Sequence, residues 1–107
     1  MFDIQQGDVI WHSVKELPTI KTHKKAKDGL VTFALGEATG HHHSAIASEG
    51  LCLYEDDFGV LWCGVPEGGA TVTHQEHKPV TLKEGNYRIG IVQEVDHLAD
   101  EVRQVQD

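Results

Sequence analysis

The chain has 107 residues, of which 39% are hydrophobic and 24% charged, with a formal net charge of -8. That composition fits one ordinary globular domain, residues 1–107, and the acidic balance argues against a sequence-independent nucleic-acid binder, which needs a basic field. Nothing approaches the roughly 18 apolar residues of a membrane span, the N-terminus lacks a signal peptide's basic and apolar regions, and Cys52 and Cys63 are too few for a disulfide framework.

Residues 9–14, Val-Ile-Trp-His-Ser-Val, are rich in branched and aromatic side chains and predict a strand after the Gly7-Asp8 punctuation. Pro18 then turns the chain. The basic run 21–27 reads as a solvated loop rather than an anion site, and it closes at Asp28-Gly29, a strong turn signal. Residues 30–35 predict a second strand, ended by Gly36. Residues 41–47 continue as a third, with His41, His43 and Ala45 on one face and His42 on the other.

Residues 51–55 and 60–65 form the clearest hairpin in the chain. A two-residue loop at Asp57-Phe58 puts Cys52 opposite Cys63, whereas a three-residue loop with Gly59 in the left-handed conformation offsets them by one. Two reduced, packed thiols are expected in either register. Trp11 and Trp62 read as packing residues. A short strand at 70–74, a polar turn at 75–78 and an apolar segment at 79–82 precede the longest predicted strand, 87–95. There Tyr87, Ile89, Ile91 and Val95 share a face, Arg88 takes the other, and Gly90 marks a bulge or a close backbone approach. The apolar spacing of Leu98, Val102 and Val105 predicts a short amphipathic helix over 96–107. Seven or eight short strands with turns every 8–12 residues predict an all-β, mainly antiparallel fold, a small barrel or sandwich.

The candidate chemistry lies in two histidine pairs. His41 and His43 are two apart, about 6.6 Å on a strand, so both imidazoles can reach one ion. His74 and His77 face opposite ways on an extended strand, and both meet the same ion only if the chain turns at Gln75-Glu76; otherwise Glu76, on the face of His74, is the candidate oxygen ligand. Four imidazoles, with at most one carboxylate, favour zinc, iron, nickel, copper or manganese over calcium and magnesium. Such an ion lowers the pKa of bound water or polarises a carbonyl, with Glu37, Glu49 or Glu76 as candidate base. No nucleotide-binding, serine-hydrolase or thioredoxin motif is present.

Gly36, His41, His43 and Glu49, followed by Pro66-Glu67-Gly68 and His74, resemble the two motifs of cupins, small double-stranded barrels of jelly-roll type. The spacings depart from that pattern: the step from Gly36 to His41 is one short, Glu49 comes late, and His74 lies far beyond Gly68. A second resemblance covers residues 7–95. Gly-Glu-Ala-Thr-Gly-His-His-His at 36–43, His-Gln-Glu-His at 74–77, Leu82, Gly85 and Tyr87 resemble a family of short, uncharacterised bacterial and phage proteins. Its pattern is GExTGHxH followed by HxEH. The resemblance implies that His41, His43, His74 and His77 are its recurring histidines and that His42 is variable. Lys83 stands where that family carries proline, and the resemblance implies no particular reaction.

The expectation is therefore a cytoplasmic β protein that binds a transition metal through His41, His43, His74 and His77. A small molecule is its candidate ligand and a homo-oligomer its candidate assembly, with neither nucleic acid nor membrane as partner. The competing expectation is a non-catalytic assembly or partner-binding module whose histidines bind no metal.

Overall fold

A computed structural model describes residues 2–35 and 42–91. In chain order the strands are β1 (Asp3–Gln6), β2 (Val9–Val14), β3 (Thr22–Lys24), β4 (Leu30–Leu35), β5 (His42–Ile46), β6 (Cys52–Glu55), β7 (Leu61–Val65), β8 (Ala70–Thr73), β9 (Val80–Leu82) and β10 (Gly85–Ile91). A 3-10 turn at Ala47–Glu49 is the sole helical element among the described residues. No helix there is long and apolar enough to cross a membrane. The predicted C-terminal helix at 96–107 and the far end of the last predicted strand, 92–95, lie outside the described residues.

Two antiparallel sheets result, one in the order β1-β2-β10-β7-β6-β3 and one in the order β4-β5-β8-β9. Their inner faces share one core. Trp11, Leu53, Cys63, Val65, Tyr87 and Ile89 of the first sheet meet Val31, Phe33, Ala45, Val72 and Leu82 of the second. The period-2 alternation of each strand assigns these faces, as on β10, where Tyr87 and Ile89 are buried and Arg88 between them is exposed. Trp11 stands edge-on to Phe33 at 5.3 Å between ring centres. The fold is thus a sandwich of open sheets rather than a closed barrel, among the described residues.

Two strands depart from the sequence reading. β1 was hidden because Asp3-Ile4-Gln5-Gln6 carries a single apolar residue. It is a sheet edge, held by its ladder to β2 and by side-chain bonds, and needs little hydrophobic signal. β3 lies inside the basic run expected to be a loop. Its three residues are all exposed, and pairing with β6 makes them a strand. Lysine on a short edge strand discourages pairing with foreign chains.

The β6–β7 hairpin takes the longer of the two anticipated loops. Cys52 pairs with Gly64 and Leu53 with Cys63, and Gly59 sits at φ 81°. Asp56 organises the turn: its carboxylate accepts from the Phe58 and Val60 amides at 2.8 and 2.9 Å and from Trp62 Nε1 at 3.0 Å. Partial desolvation raises the Asp56 pKa, and these three hydrogen bonds lower it by more, leaving the carboxyl below its ordinary value. The one-residue offset sends the two thiols to opposite faces. Cys63 is fully buried and desolvation pushes its pKa up to about 12, whereas Cys52 is half-buried. Gly90 marks no bulge, since it pairs with Ile10 in unbroken register, and a Cβ there would meet His12 Nε2 at 3.4 Å, an ordinary van der Waals contact.

Two outcomes are expected. A thiol reagent should modify Cys52 alone in the native protein and both cysteines in denaturant, as read by mass spectrometry. Gly69→Ala should destabilise the fold by at least about 1–2 kcal/mol in urea unfolding, because Gly69 has φ 79° and its Cβ would lie 2.7 Å from the Leu82 carbonyl oxygen.

Candidate functional site

The second sheet brings the two histidine segments together by register. β5 and β8 pair Ala45 with Val72 and Ser44 with Thr73, and one further step sets His43 opposite His74. Their rings are 4.4 Å apart between centres. On β5, His43 shares the inward face with Ala45, and both are buried, His43 at 4% exposure. A bulge at Phe33 on the neighbouring β4 shifts the register between Thr32 and Ala34 and sets Ala34 against His43.

After β8 the chain turns, as it must for two histidines three apart to face the same point. His74 Nδ1 makes this turn by accepting the backbone N–H groups of Glu76, at 3.0 Å, and His77, at 3.3 Å. Those bonds fix Nδ1 as an acceptor, so the neutral ring carries its hydrogen on Nε2. His77 is thereby folded back, with its ring 4.6 Å from His74 and 6.2 Å from His43, nearly parallel to the latter at 12°. Gln75 ties the turn to β5, its Oε1 accepting the His42 amide at 2.8 Å. Three of the four expected histidines therefore converge. His41 lies outside the described residues, as does Glu37.

The other half of the site comes from the first sheet, which the sequence reading did not connect with the histidines. Gly7-Asp8 is the two-residue loop of the β1–β2 hairpin, and Gly7 has φ 59°. Its backbone lies directly on the imidazoles. A Cβ there would be 2.6 Å from His77 Nε2 and 3.3 Å from His43 Cε1, and with φ at 59° the position favours glycine. Asp8 follows, with Oδ1 3.4 Å from His43 Nε2. Gln6, 3% exposed, donates from Nε2 to the carbonyls of Val72 at 3.1 Å and Lys78 at 2.8 Å, which turns its Oε1 toward His43 Nδ1 at 2.8 Å.

These bonds set the tautomer of His43. With both amide hydrogens of Gln6 spent on carbonyls, its oxygen must accept, so Nδ1 of His43 carries the hydrogen. Nε2 is left presenting a lone pair toward the Asp8 carboxylate. Burial lowers the pKa of His43 and the neighbouring His74 lowers it further. Asp8 works the other way by charge and hydrogen bonding, His77 adds a smaller lowering, and the net direction is down. A neutral ring against a carboxylate at 3.4 Å is an arrangement that a cation between them relieves. Even so, among the described residues no three His, Cys, Asp or Glu side chains are already closed into a metal cage.

The remaining candidates fall elsewhere. Glu76 is exposed at the rim of the histidine turn. Glu49, the glutamate of the cupin-like pattern, instead accepts the Thr71 amide at 3.0 Å and fastens the 3-10 turn to β8. Trp62 belongs to the Asp56 turn, and His12 pairs with Asp3 at 3.1 Å. The signal for Gln6 and Asp8 was present only as a Gly-Asp turn, with nothing in the spacing to link it to residues some seventy positions on.

A family model described as a domain of unknown function, DUF8820, matches residues 5–92. No curated protein and no solved structure matches the chain.

The lowered pKa of His43 gives a signed prediction for metal-free protein. Above pH 6.5 the ring is neutral in both states. As pH falls, the unfolded ring gains a proton while the folded ring resists it, so stability drops from pH 6.5 down to the lowered folded value and then levels off. Urea unfolding at pH 7.5 and 5.5 should show a larger loss in the wild type than in His43→Gln.

Proposed function

The chain belongs to the DUF8820 family, and within it we propose that this protein binds one transition-metal ion through His43, His74 and His77, with Asp8 as a carboxylate ligand, His74 giving up its two turn amides so that Nδ1 can face the ion. His41 is the fourth imidazole that the sequence pattern nominates. The observation that carries this reading is the pairing of His43 Nε2 with Asp8 Oδ1 at 3.4 Å, on a ring whose other nitrogen is committed to Gln6. Two donors bound at about 2.0–2.1 Å in tetrahedral geometry are themselves separated by roughly 3.4 Å. Gln6 then plays the part of an outer partner, which fixes the tautomer and aim of a ligating histidine.

The ring separations support the same reading. Imidazoles sharing one tetrahedral ion have centres about 5 Å apart, and the three here are separated by 4.4, 4.6 and 6.2 Å. His77 is exposed, so its ring can turn the remaining distance at little packing cost. Imidazole with carboxylate suits zinc, iron, manganese or nickel. An ion held there supplies a Lewis acid at an open position, and Glu76 at the rim is the candidate proton acceptor for a small-molecule substrate. The architecture is read as cupin-like on the placement of the histidines, which lie on β5 and on the turn that follows the adjoining β8, at one end of a β sandwich.

Metal analysis of untagged protein, purified without a nickel column, should find about one equivalent per chain. His43→Ala, His74→Ala and Asp8→Asn should each weaken binding more than tenfold, and Gln6→Leu by about 10–100-fold. His23→Ala, on β3, should leave binding unchanged. Metal that stays far below one equivalent after incubation with zinc, iron(II), manganese and nickel would refute the proposal, as would alanine variants that bind like the wild type.

A further inference from the structure

The two sheets meet along two seams, and the seams differ. At β1 and β9 the edge strands touch and Gln6 spans the gap to Val72 and Lys78. At the opposite seam, where β3 and β6 face β4, a cleft of about 560 Å³ opens. Leu30, Phe33 and Leu53 line it, and Lys24, Lys25 and Lys27 stand on it. Phe33 and Leu53 are also members of the central core, so the floor of the cleft is the margin of that core. Its volume lies within the roughly 300–1,000 Å³ of small-molecule sites.

We propose that this cleft binds a small anionic amphiphile, an apolar chain ending in one carboxylate. Three observations specify that chemistry. Lys24 pairs with Leu53 in the β3–β6 register, so cation and apolar floor share one face. Lys24 is engaged by Glu55 at 3.2 Å, whereas among the described residues neither Lys25 nor Lys27 has a carboxylate partner for its ammonium. The field also points here: of nine cationic side chains in a chain of net charge -8, four fall at positions 21, 24, 25 and 27. An anion is repelled by most of the molecule and drawn to this rim. No residue of the cleft belongs to the histidine cluster, so the proposal stands independently of metal binding.

Decanoate is the probe, followed by amide NMR titration of the full chain, with decanol and acetate as comparison ligands. Decanoate should saturate, shifting amides of β3, β4 and β6, and bind at least tenfold more tightly than either comparison ligand. The Lys25→Glu/Lys27→Glu variant, altered at two exposed positions, should bind decanoate at least tenfold more weakly. Raising the salt concentration should weaken wild-type binding, since exposed charges are screened. Acetate binding as tightly as decanoate would reduce the cleft to a bare anion patch, and decanol binding as tightly would reduce it to an apolar groove. Either result overturns the proposal, as does the absence of saturation or an unchanged affinity in the charge-reversed variant.

Discussion

The buried amide of Gln6 is the interaction on which the geometry of the histidine end depends. It sits on an edge strand of one sheet and donates to two carbonyls associated with the other, Val72 on β8 and Lys78 beyond it. A buried primary amide is costly unless its hydrogens and oxygen are all used. Here both hydrogens go to carbonyls and the oxygen to His43, so the residue joins the sheets and orients the histidine at once. Gln6 sets the tautomer of His43, and it also brings the β1–β2 turn down onto the rings, where Gly7 leaves room for them.

Closure by a side chain instead of a continuous ladder gives the sandwich two unlike seams. The seam at β1 and β9 is narrow and polar, occupied by Gln6 and His43, and it gathers the histidine turn and Asp8. The seam at β3 and β4 is wider, floored by Phe33 and Leu53 and rimmed by lysines. The core between them is ordinary: apolar residues at alternate positions, with Trp11 and Tyr87 filling the largest volumes. The chemical interest of the molecule is therefore at its two margins.

Local rules account for the turns. Asp28-Gly29 adopts left-handed conformations at both positions, φ 55° and 77°, with Lys27 and Leu30 bonded across it in both directions. The β6–β7 hairpin kept its position but had two admissible registers. The carboxylate of Asp56 decides between them by accepting two amides and the Trp62 indole, which makes the three-residue loop the better satisfied one. That one choice separates Cys52 from Cys63.

The sequence by itself determined the all-β class and the shared faces on β5 and β10, where His43 lies with Ala45 and Tyr87 with Ile89. Each follows from period-2 alternation and turn chemistry, which act over a few residues and are written into them. The polar Gln75-Glu76 also made a turn between His74 and His77 readable, and the imidazole of His74 proves to be a group that holds it. Only the tertiary structure decided that Gln6, Gly7 and Asp8 meet those histidines, and that the lysines of the basic run surround a cavity. Both depend on which sheet edges come together. Edge strands such as β1 and β3 carry little apolar signal, so their partners are chosen by hydrogen bonds that form only after the two sheets have packed.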